Sequence, residues 1–198
     1  MSPGSAHRLT GMKAKNLDDP GATPVQEWTA VEARLDAGFS QAPDSGGPNR
    51  YTTWLTTINR DGSPHVTAVG AVWVDGAFWF QTGDPTRKAK NIARDRRCSL
   101  SVSAHDFDLV IEGTADKVTD SSPIARVAAV WAANGWPCEL DASGTGLTAP
   151  FNAPGLGPPP WFVYRITAGS ATSVTSIEPG GATRWTFEQM TKDELRPY

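Results

Sequence analysis

The chain has few cysteines, no long apolar run and no excess of positive charge, and each absence removes a class of protein. Its two cysteines, Cys98 and Cys138, are too few for a disulfide framework or a structural zinc site. No segment approaches the roughly 20 apolar residues of a membrane-spanning helix, and residues 1–19 lack the apolar region of a secretory signal. A net charge of -3 argues against a protein that coats nucleic acid or an anionic membrane. These absences predict a cytoplasmic protein with reduced thiols.

Glycine, proline and tryptophan are abundant instead. The 198 residues include 19 glycines, 16 prolines and 8 tryptophans, whereas average usage is about 7% glycine and 5% proline. Many turns combined with large flat side chains are typical of a β-rich protein and not of a helical bundle. The length suits one domain. We place it at residues 24–198, after a flexible N-terminal tail of residues 1–23 that lacks hydrophobic periodicity.

Turn signals divide this domain into short strands. The predicted strands are 51–59, 64–74, 77–82, 98–103, 109–118, 161–166, 173–177 and 183–187. Tight turns at 60–63 and 75–76 join the first three strands into an antiparallel meander. Three helices are predicted, one between Thr23 and Gly38, one at 84–95 and one at 121–134. The glycine- and proline-rich stretch 141–160 is predicted as a long loop, either a lid over a ligand or only a surface connection. Such a pattern indicates a barrel or a sandwich.

One predicted helix start carries an unusual charge pattern. With Asp84 as N-cap, Arg87 and Lys88 fall at the third and fourth helical positions. Cations are unfavourable at a helix N-terminus, by about 0.3–1 kcal/mol each, unless an anion lies nearby. A bound phosphate would meet the helix amides, the hydroxyls of Thr82 and Thr86, and both cations. The segment therefore predicts a phosphate site.

Helical phase separates the two cations. Ala89, Ile92 and Ala93 form the apolar face of the helix, which Lys88 flanks, whereas Arg87 points more nearly to the opposite side. Lys88 is therefore the better candidate for a pocket between helix and sheet. The six basic residues within 87–97 are equally explained as a solvated face. Nucleic-acid binding by this cluster is a weaker alternative, because the rest of the chain is acidic and contains no recognised nucleic-acid module.

The order of these motifs resembles a known family. Two Asp-Gly turns between strands precede a basic helix start, and the segments concerned are 61–62, 64–66, 75–76, 86–92 and Asp95. This order is similar to the pyridoxamine 5′-phosphate oxidase-like split-barrel family, and most similar to the actinobacterial branch that uses FMN or the deazaflavin coenzyme F420. The closing segment 182–187 is similar to the ending of many members of that branch. The resemblance covers residues 50–118 well and 160–187 more loosely.

The resemblance implies a mainly β fold, a six- to eight-stranded antiparallel split β-barrel with flanking helices. In the family, a basic residue at the start of the helix binds the cofactor phosphate; Lys88 matches it, with Arg87 beside it. The second strand runs along the cofactor, and the end of the third strand faces it. The implied cofactor-binding residues are His65, Val66, Thr67, Ala68, Gln81, Thr82, Thr86, Arg87, Lys88 and Asn91. Members are homodimers with the cofactor at the subunit interface, so Arg184 or Trp185 is expected to reach the partner's site.

The implied function is an oxidoreductase that uses F420 to transfer hydride to a small organic substrate. FMN is the alternative cofactor, and a non-enzymatic protein that binds the cofactor or haem is the alternative class. Lys90 and Arg94 are candidates for the longer anionic tail of F420. His65 replaces an arginine of the phosphate-oxidase members, which argues against pyridoxamine phosphate as substrate. No acid, base or nucleophile constellation is evident. The histidines at 7, 65 and 105 lack metal-ligand spacing, so no metal site is expected.

Overall fold

The computed structural model describes residues 11–18, 21, 23–38, 53–153, 155–175 and 177–188. The strands are β1 (Met12–Asn16), β2 (Thr53–Ile58), β3 (Pro64–Val69), β4 (Val72–Val74), β5 (Ala77–Thr82), β6 (Arg97–Ser103), β7 (Phe107–Lys117), β8 (Glu139–Leu140), β9 (Leu147–Thr148), β10 (Phe162–Thr175) and β11 (Ala182–Phe187). The helices are α1 (Trp28–Asp36), α2 (Arg87–Arg94) and α3 (Ser121–Ala133). None of these helices has the length and apolar character that crossing a bilayer requires.

The main sheet is antiparallel and is organised around β10. Its order is β1-β11-β10-β7-β6-β2-β3, with β5 pairing both β4 and β10. The first four residues of β10 pair with β5, its later residues pair with β11, and β7 pairs along most of its length. Strict alternation explains why such strands were predictable: β6 buries Cys98, Leu100 and Val102 and turns the residues between them outward. The predicted mainly β, antiparallel split-barrel fold is confirmed.

The predicted meander is wrong in one respect that matters for the site. The expected strand 64–74 is interrupted at Gly70 and Ala71, and the two pieces pair differently. β3 pairs with β2, whereas β4 pairs with β5. The indole Nε1 of Trp131 in α3 donates to Gly70 O (2.8 Å) and holds the corner in place. Because β3 and β5 are not neighbours, β3 ends the sheet, and no strand of the described residues pairs with its second edge, which we call the free edge.

Other boundaries also differ from the sequence predictions. The expected strands 161–166 and 173–177 are one strand, β10, with an irregularity between Ala168 and Ser170 where β7 approaches closely. A side chain at Gly113 would lie 2.0 Å from Thr167 O, so glycine is required there. β1 lies within the predicted tail, and its pairing with β11 brings the main sheet to nine strands. α1 begins at Trp28, after Glu27, and not directly after Thr23.

Two apolar clusters fill the fold. The first lies inside the barrel and includes Leu55, Phe80, Leu100 and Trp185. The second lies between α3 and the sheet, and it includes residues of the predicted loop 141–160, in which β9 pairs with β8 and Leu147 exchanges backbone hydrogen bonds with Trp161. Cys98 and Cys138 are buried, and burial raises the pKa of these thiols to about 12 and about 11, as expected for packing thiols that do not act as nucleophiles.

Candidate ligand-binding cleft

A cleft of about 380 Å³ opens where the second cluster meets the free edge of β3. One wall is the chain from the end of β3 into β4, and the opposite wall comes from the end of α3 and from the turn at 155–156. Lys88 of α2 and Gln81 of β5 close one end. The lining residues are 67–72, Gln81, Lys88, Trp131, 134–136, Gly155 and Leu156. The cleft therefore collects four of the predicted site residues: Thr67, Ala68, Gln81 and Lys88.

The free edge of β3 contributes backbone groups to this cleft. Ser63 O accepts a hydrogen bond from Asn59 N (2.8 Å). With the register of β2 and β3, this bond shows which residues of β3 direct their backbone N–H and C=O groups towards β2. In an antiparallel pair every second residue turns its N–H and C=O away from the partner strand. In β3 these are Pro64, Val66 and Ala68, and of the three only Ala68 lines the cleft. The side chains of Val66 and Ala68 point to the outer face of the sheet. Their unpaired backbone groups can therefore meet the polar edge of a flat ligand.

Gln81 presents an unsatisfied acceptor at the cleft. Its side chain is 7% exposed, and its Oε1 is buried with no hydrogen-bond partner in the structure. A buried amide oxygen without a donor costs free energy that a ligand N–H would recover. On β5, Gln81 lies on the face towards α3, whereas Phe78, Phe80 and Thr82 face the barrel interior. Alternation along the strand thus separates Gln81, which lines the cleft, from Thr82, which does not.

The start of α2 differs by two residues from the prediction. Thr86, not Asp84, is the N-cap, and its Oγ1 accepts from Ala89 N (3.3 Å). Arg87 and Lys88 are therefore the first two helical residues, closer to the positive end of the helix than expected. Thr86 Oγ1 also lies 2.9 Å from Thr82 Oγ1. The two predicted hydroxyls thus bond to each other beside the helix start, and neither lines the cleft.

Lys88 is the buried cation of this helix. It is 6% exposed, its Nζ donates to Gly155 O (3.2 Å), and no carboxylate of the described residues lies within ion-pair distance of it. Burial lowers the pKa of Lys88, because the charged form loses its hydration. One neutral carbonyl compensates little of that loss, whereas a phosphate oxygen in the same place would add charge. The geometry thus favours an anion at this end of the cleft.

The other basic residues of the segment are on the surface. Arg87, Lys90, Arg94, Arg96 and Arg97 are all exposed. The interpretation of a solvated basic face is therefore correct for five residues and fails for Lys88 alone, as helical phase predicts.

Arg87, which follows Thr86 and precedes Lys88, lines a shallow surface depression together with Asn59, Arg60 and Asp61. His65, half-buried on β3, is near enough for both Arg87 and Lys88 to act on it. Burial chiefly, and then these two cations, lower the pKa of His65. A positive field thus extends from Lys88 to the depression.

The effect of Arg87 and Lys88 on the pKa of His65 can be tested without knowing the natural ligand. Lys88→Met should raise the pKa of His65 towards its ordinary value of about 6.5, because one of two repelling cations is removed. Saturating inorganic phosphate should raise it in the unmodified protein for the same reason. Proton NMR of the imidazole resonances during a pH titration measures both shifts. Lys90→Met, which removes an exposed cation, should leave the pKa unchanged; an equal rise there would contradict the geometry.

Three further predicted site residues, Asn91, Arg184 and Trp185, also lie away from the cleft. Asn91 is buried against β2, where its Nδ2 donates to Thr57 Oγ1 and Asn59 Oδ1 (both 3.1 Å), so it fastens the helix to the sheet. Arg184 lies on the outer face of the sheet, paired with Glu112 at 2.6 Å. Trp185 is fully buried inside the barrel, with its ring 5.3 Å from that of Trp28. Trp185 therefore has no surface to offer a partner's site.

Sequence reasoning missed the wall opposite β3. Trp131, Asn134 and Trp136 reach the cleft from the end of α3, and the turn at 155–156 covers it. Gly83 explains how that turn comes so close: a side chain there would lie 2.4 Å from Leu156 O. Only Gly135 signalled this wall in the sequence, as a helix end, and nothing local indicated which strand the helix end would meet.

These groups fit a phosphate-bearing, ring-containing cofactor. The cleft has a buried ammonium at one end, an unpartnered amide oxygen at Gln81 and a free strand edge along one wall. They offer little to a metal ion: in the part of the chain described, no group of three or more His, Cys, Asp or Glu side chains is placed to hold one.

Comparison with known proteins agrees with this fold. A family model described as pyridoxamine 5′-phosphate oxidase matches residues 47–147. Similar solved structures include the conserved hypothetical protein Rv2991 from Mycobacterium tuberculosis, 22% identical over 79% of this chain and 88% of that one, TM-score 0.52. PhzG from Burkholderia lata 383, solved with tetrahydrophenazine-1-carboxylic acid, is 14% identical over 88% and 98%, TM-score 0.52. A structure described as an F420 reductase is 17% identical over 61% and 88%, TM-score 0.43. No curated protein matches the sequence.

Proposed function

The chain belongs to the pyridoxamine 5′-phosphate oxidase family, and from this premise we propose that it is an oxidoreductase that binds coenzyme F420 and transfers hydride to a small organic substrate. FMN is the alternative cofactor. The proposal includes a homodimer and a cytoplasmic location. The observation that carries it is Lys88, a buried cation with only a neutral carbonyl partner, at the closed end of a cleft bordered by a free strand edge.

In this proposal each part of the cleft has one task. Lys88 binds the cofactor phosphate, helped by the amides at the start of α2, which have no acceptors within the helix. The backbone of Val66 and Ala68 and the amide oxygen of Gln81 orient the ring by its polar edge. Leu156 covers the cleft and excludes water. The bound cofactor supplies the hydride chemistry, so the chain needs no acid–base pair of its own for that step.

Charge beyond the phosphate supports F420 over FMN, because F420 continues past its phosphate into a longer anionic tail. Arg60 and Arg87 line the surface depression, where Asp61 is the one carboxylate among the lining residues. Lys90, a tail candidate from the sequence, lines a separate depression that also contains the carboxylates of Asp84 and Asp116, so it is not placed for this tail. Arg94 lies further along α2. Arg94 contacts the neutral oxygens of Ile58 and Asn91, and its charge also acts on the neighbouring carboxylate of Asp95. A tail that leaves Lys88 towards this depression would meet the cations of Arg60 and Arg87.

The dimer part of the proposal is supported by the outer face of the sheet. Trp54 and Val66 are 52% and 56% exposed on neighbouring strands, and Trp54 lies opposite Ala68 on β3 and Ser101 on β6. Large apolar side chains exposed together are typical of an interaction surface. Because β3 also borders the cleft, a second copy seated on this face would complete the cofactor site.

Trp54→Glu should convert the dimer to a monomer, since it places a charge in the centre of an apolar contact. Light scattering during size exclusion measures the mass of each variant, and cofactor affinity should fall with the loss of the dimer. The matched control is Val25→Glu, which changes an exposed apolar residue outside the sheet and should leave a dimer. A monomeric unmodified protein would overturn this part of the proposal.

Turnover separates an enzyme from a protein that only binds the cofactor or haem. Purified protein is mixed with reduced F420, or separately with reduced FMN, and dichlorophenolindophenol as electron acceptor. Dye reduction above the rate without protein is expected, and Lys88→Met should lower that rate at limiting cofactor. Tight cofactor binding with no acceleration for a panel of acceptors would favour the binding-protein alternative.

A further inference from the structure

The end of α3 fixes an aromatic residue across the cleft from β3. Gly135 has a φ of +86°, its N donates to Ala132 O (3.1 Å), and Trp136 N donates to Trp131 O (2.9 Å). This is the Schellman arrangement, which ends a helix at a left-handed glycine and determines where the following residue lies. Trp131 is itself bonded to Gly70 O (2.8 Å) at the corner between β3 and β4. The backbone therefore sets the position of Trp136 relative to the opposite wall.

Trp136 carries a donor that the protein does not use. Its Nε1 is buried and has no acceptor in the structure. Three other indoles around the same cluster are satisfied, because Trp79, Trp131 and Trp161 each donate to a backbone carbonyl at 2.8–2.9 Å. A buried indole N–H normally finds such a partner. The indoles of Trp28 and Trp185 in the barrel core also have no partner among the described residues, and Trp136 differs from them because it lines the cleft. Its unused donor is therefore the one that lies near a ligand site.

The surroundings of Trp136 restrict what that ligand can be. Its ring packs against Phe151, with centroids 5.3 Å apart, and Trp161, at 5.9 Å, so it has little freedom to turn. Leu156 and Trp131 extend the wall as apolar surface. The Asn134 amide also lines the cleft and makes no side-chain hydrogen bond with the described residues. Among the described residues, this wall presents aromatic and aliphatic side chains and neutral polar groups, and no charged side chain.

We propose that Trp136 selects the organic substrate, packing its ring on a planar conjugated molecule and donating its Nε1–H to an acceptor such as a carbonyl oxygen or a ring nitrogen. The inference rests on the proposed function, since it names the substrate class of that same cleft. In this proposal the cofactor occupies the side of the cleft formed by β3, Gln81 and Lys88. The substrate occupies the opposite side, at the end of α3. Aliphatic and strongly charged molecules are poor ligands for this wall.

The test uses two probes that differ only in the acceptor. 9-Fluorenone and fluorene have the same ring system, and only fluorenone has a carbonyl oxygen. Equilibrium dialysis gives the dissociation constant of each probe for the unmodified protein, Trp136→Phe and Trp28→Phe. Trp28 is the matched control, because its Nε1 is also buried without a partner but lies in the barrel core beside Trp185.

The unmodified protein should prefer fluorenone by about threefold to tenfold, the effect of one neutral hydrogen bond. Trp136→Phe should lose that preference while keeping its affinity for fluorene, and Trp28→Phe should keep both. A preference that persists in Trp136→Phe overturns the proposal, as does a failure of either probe to saturate the unmodified protein. Titrations of the same samples with F420 and FMN test the proposed function independently of the Trp136 proposal, because the probes are measured in the absence of either cofactor.

Discussion

Lys88→Met is expected to weaken F420 binding by about 1.5–3 kcal/mol, the range for a hydrogen bond to a charged group, while the fold remains intact. The reason is that Lys88 is buried and that, within the part of the chain that the structure describes, its one side-chain hydrogen bond goes to the Gly155 carbonyl, so its charge is available to the phosphate. Stability should change in the opposite direction. Burial lowers the pKa of Lys88, so the folded state disfavours the charged form at neutral pH, and removing that charge should preserve or raise the melting temperature.

Fluorescence titration with F420 and thermal unfolding measure the two effects on the same preparation. Lys90→Met is the matched control, because Lys90 is an exposed cation two residues away on the same helix. It should change both quantities little if Lys88 alone holds the phosphate. A loss in Lys90→Met as large as that in Lys88→Met would mean that general positive charge attracts the ligand. An unchanged F420 affinity in Lys88→Met would show that Lys88 does not bind the phosphate.

Trp185→Ala is expected to lower the free energy of unfolding by about 3–5 kcal/mol, as large core truncations do. Trp185 is fully buried, and its neighbour Trp28 packs edge-on against both Trp185 and Phe187, at 5.3 and 4.9 Å. Removing the indole leaves a cavity that this cluster cannot fill. Denaturant unfolding of the purified variant measures the loss.

Two further variants separate a packing role from a cofactor role. Trp185→Phe should recover much of the lost stability and bind F420 as the unmodified protein does. Trp54→Ala, which truncates an exposed tryptophan, should destabilise the folded subunit far less. A Trp185→Phe protein that is fully stable but no longer binds cofactor would show that the ring contacts the ligand, contrary to its place in the core.

Local sequence signals were sufficient to predict which side chains are buried when the pattern within a single helix or strand determines it. The phase of α2 separates Lys88 from Arg87 because the apolar face of that helix packs on β2, and the structure has the same arrangement. The same kind of signal was available for β11, where Thr183, Trp185 and Phe187 alternate with exposed residues. Strict alternation would have assigned Trp185 to the core. The resemblance to a family pointed instead to a partner's site.

Contacts between distant segments were not predictable in this way. The break of the expected strand at Gly70 depends on a bond from Trp131, some sixty residues later in the chain. The wall made by Trp136 and Leu156 depends on how α3 and the turn at 155–156 pack on the second cluster. Nothing in the local sequence carries that information. Four of the twelve predicted residues, Thr67, Ala68, Gln81 and Lys88, line the cleft, whereas its opposite wall was found only in the structure.

The central claim is that the cleft at Lys88 binds a phosphate-bearing deazaflavin. The most direct measurement is a fluorescence titration of the purified protein with oxidised F420 and, in parallel, with FMN, after absorbance has shown whether a cofactor remained bound through purification. Micromolar or tighter binding of F420, with clearly weaker binding of FMN, is the predicted result. Tighter binding of FMN than of F420 would support the phosphate site at Lys88 but would show that the cofactor is FMN. Binding of neither would contradict the claim and leave α2 as a basic surface helix.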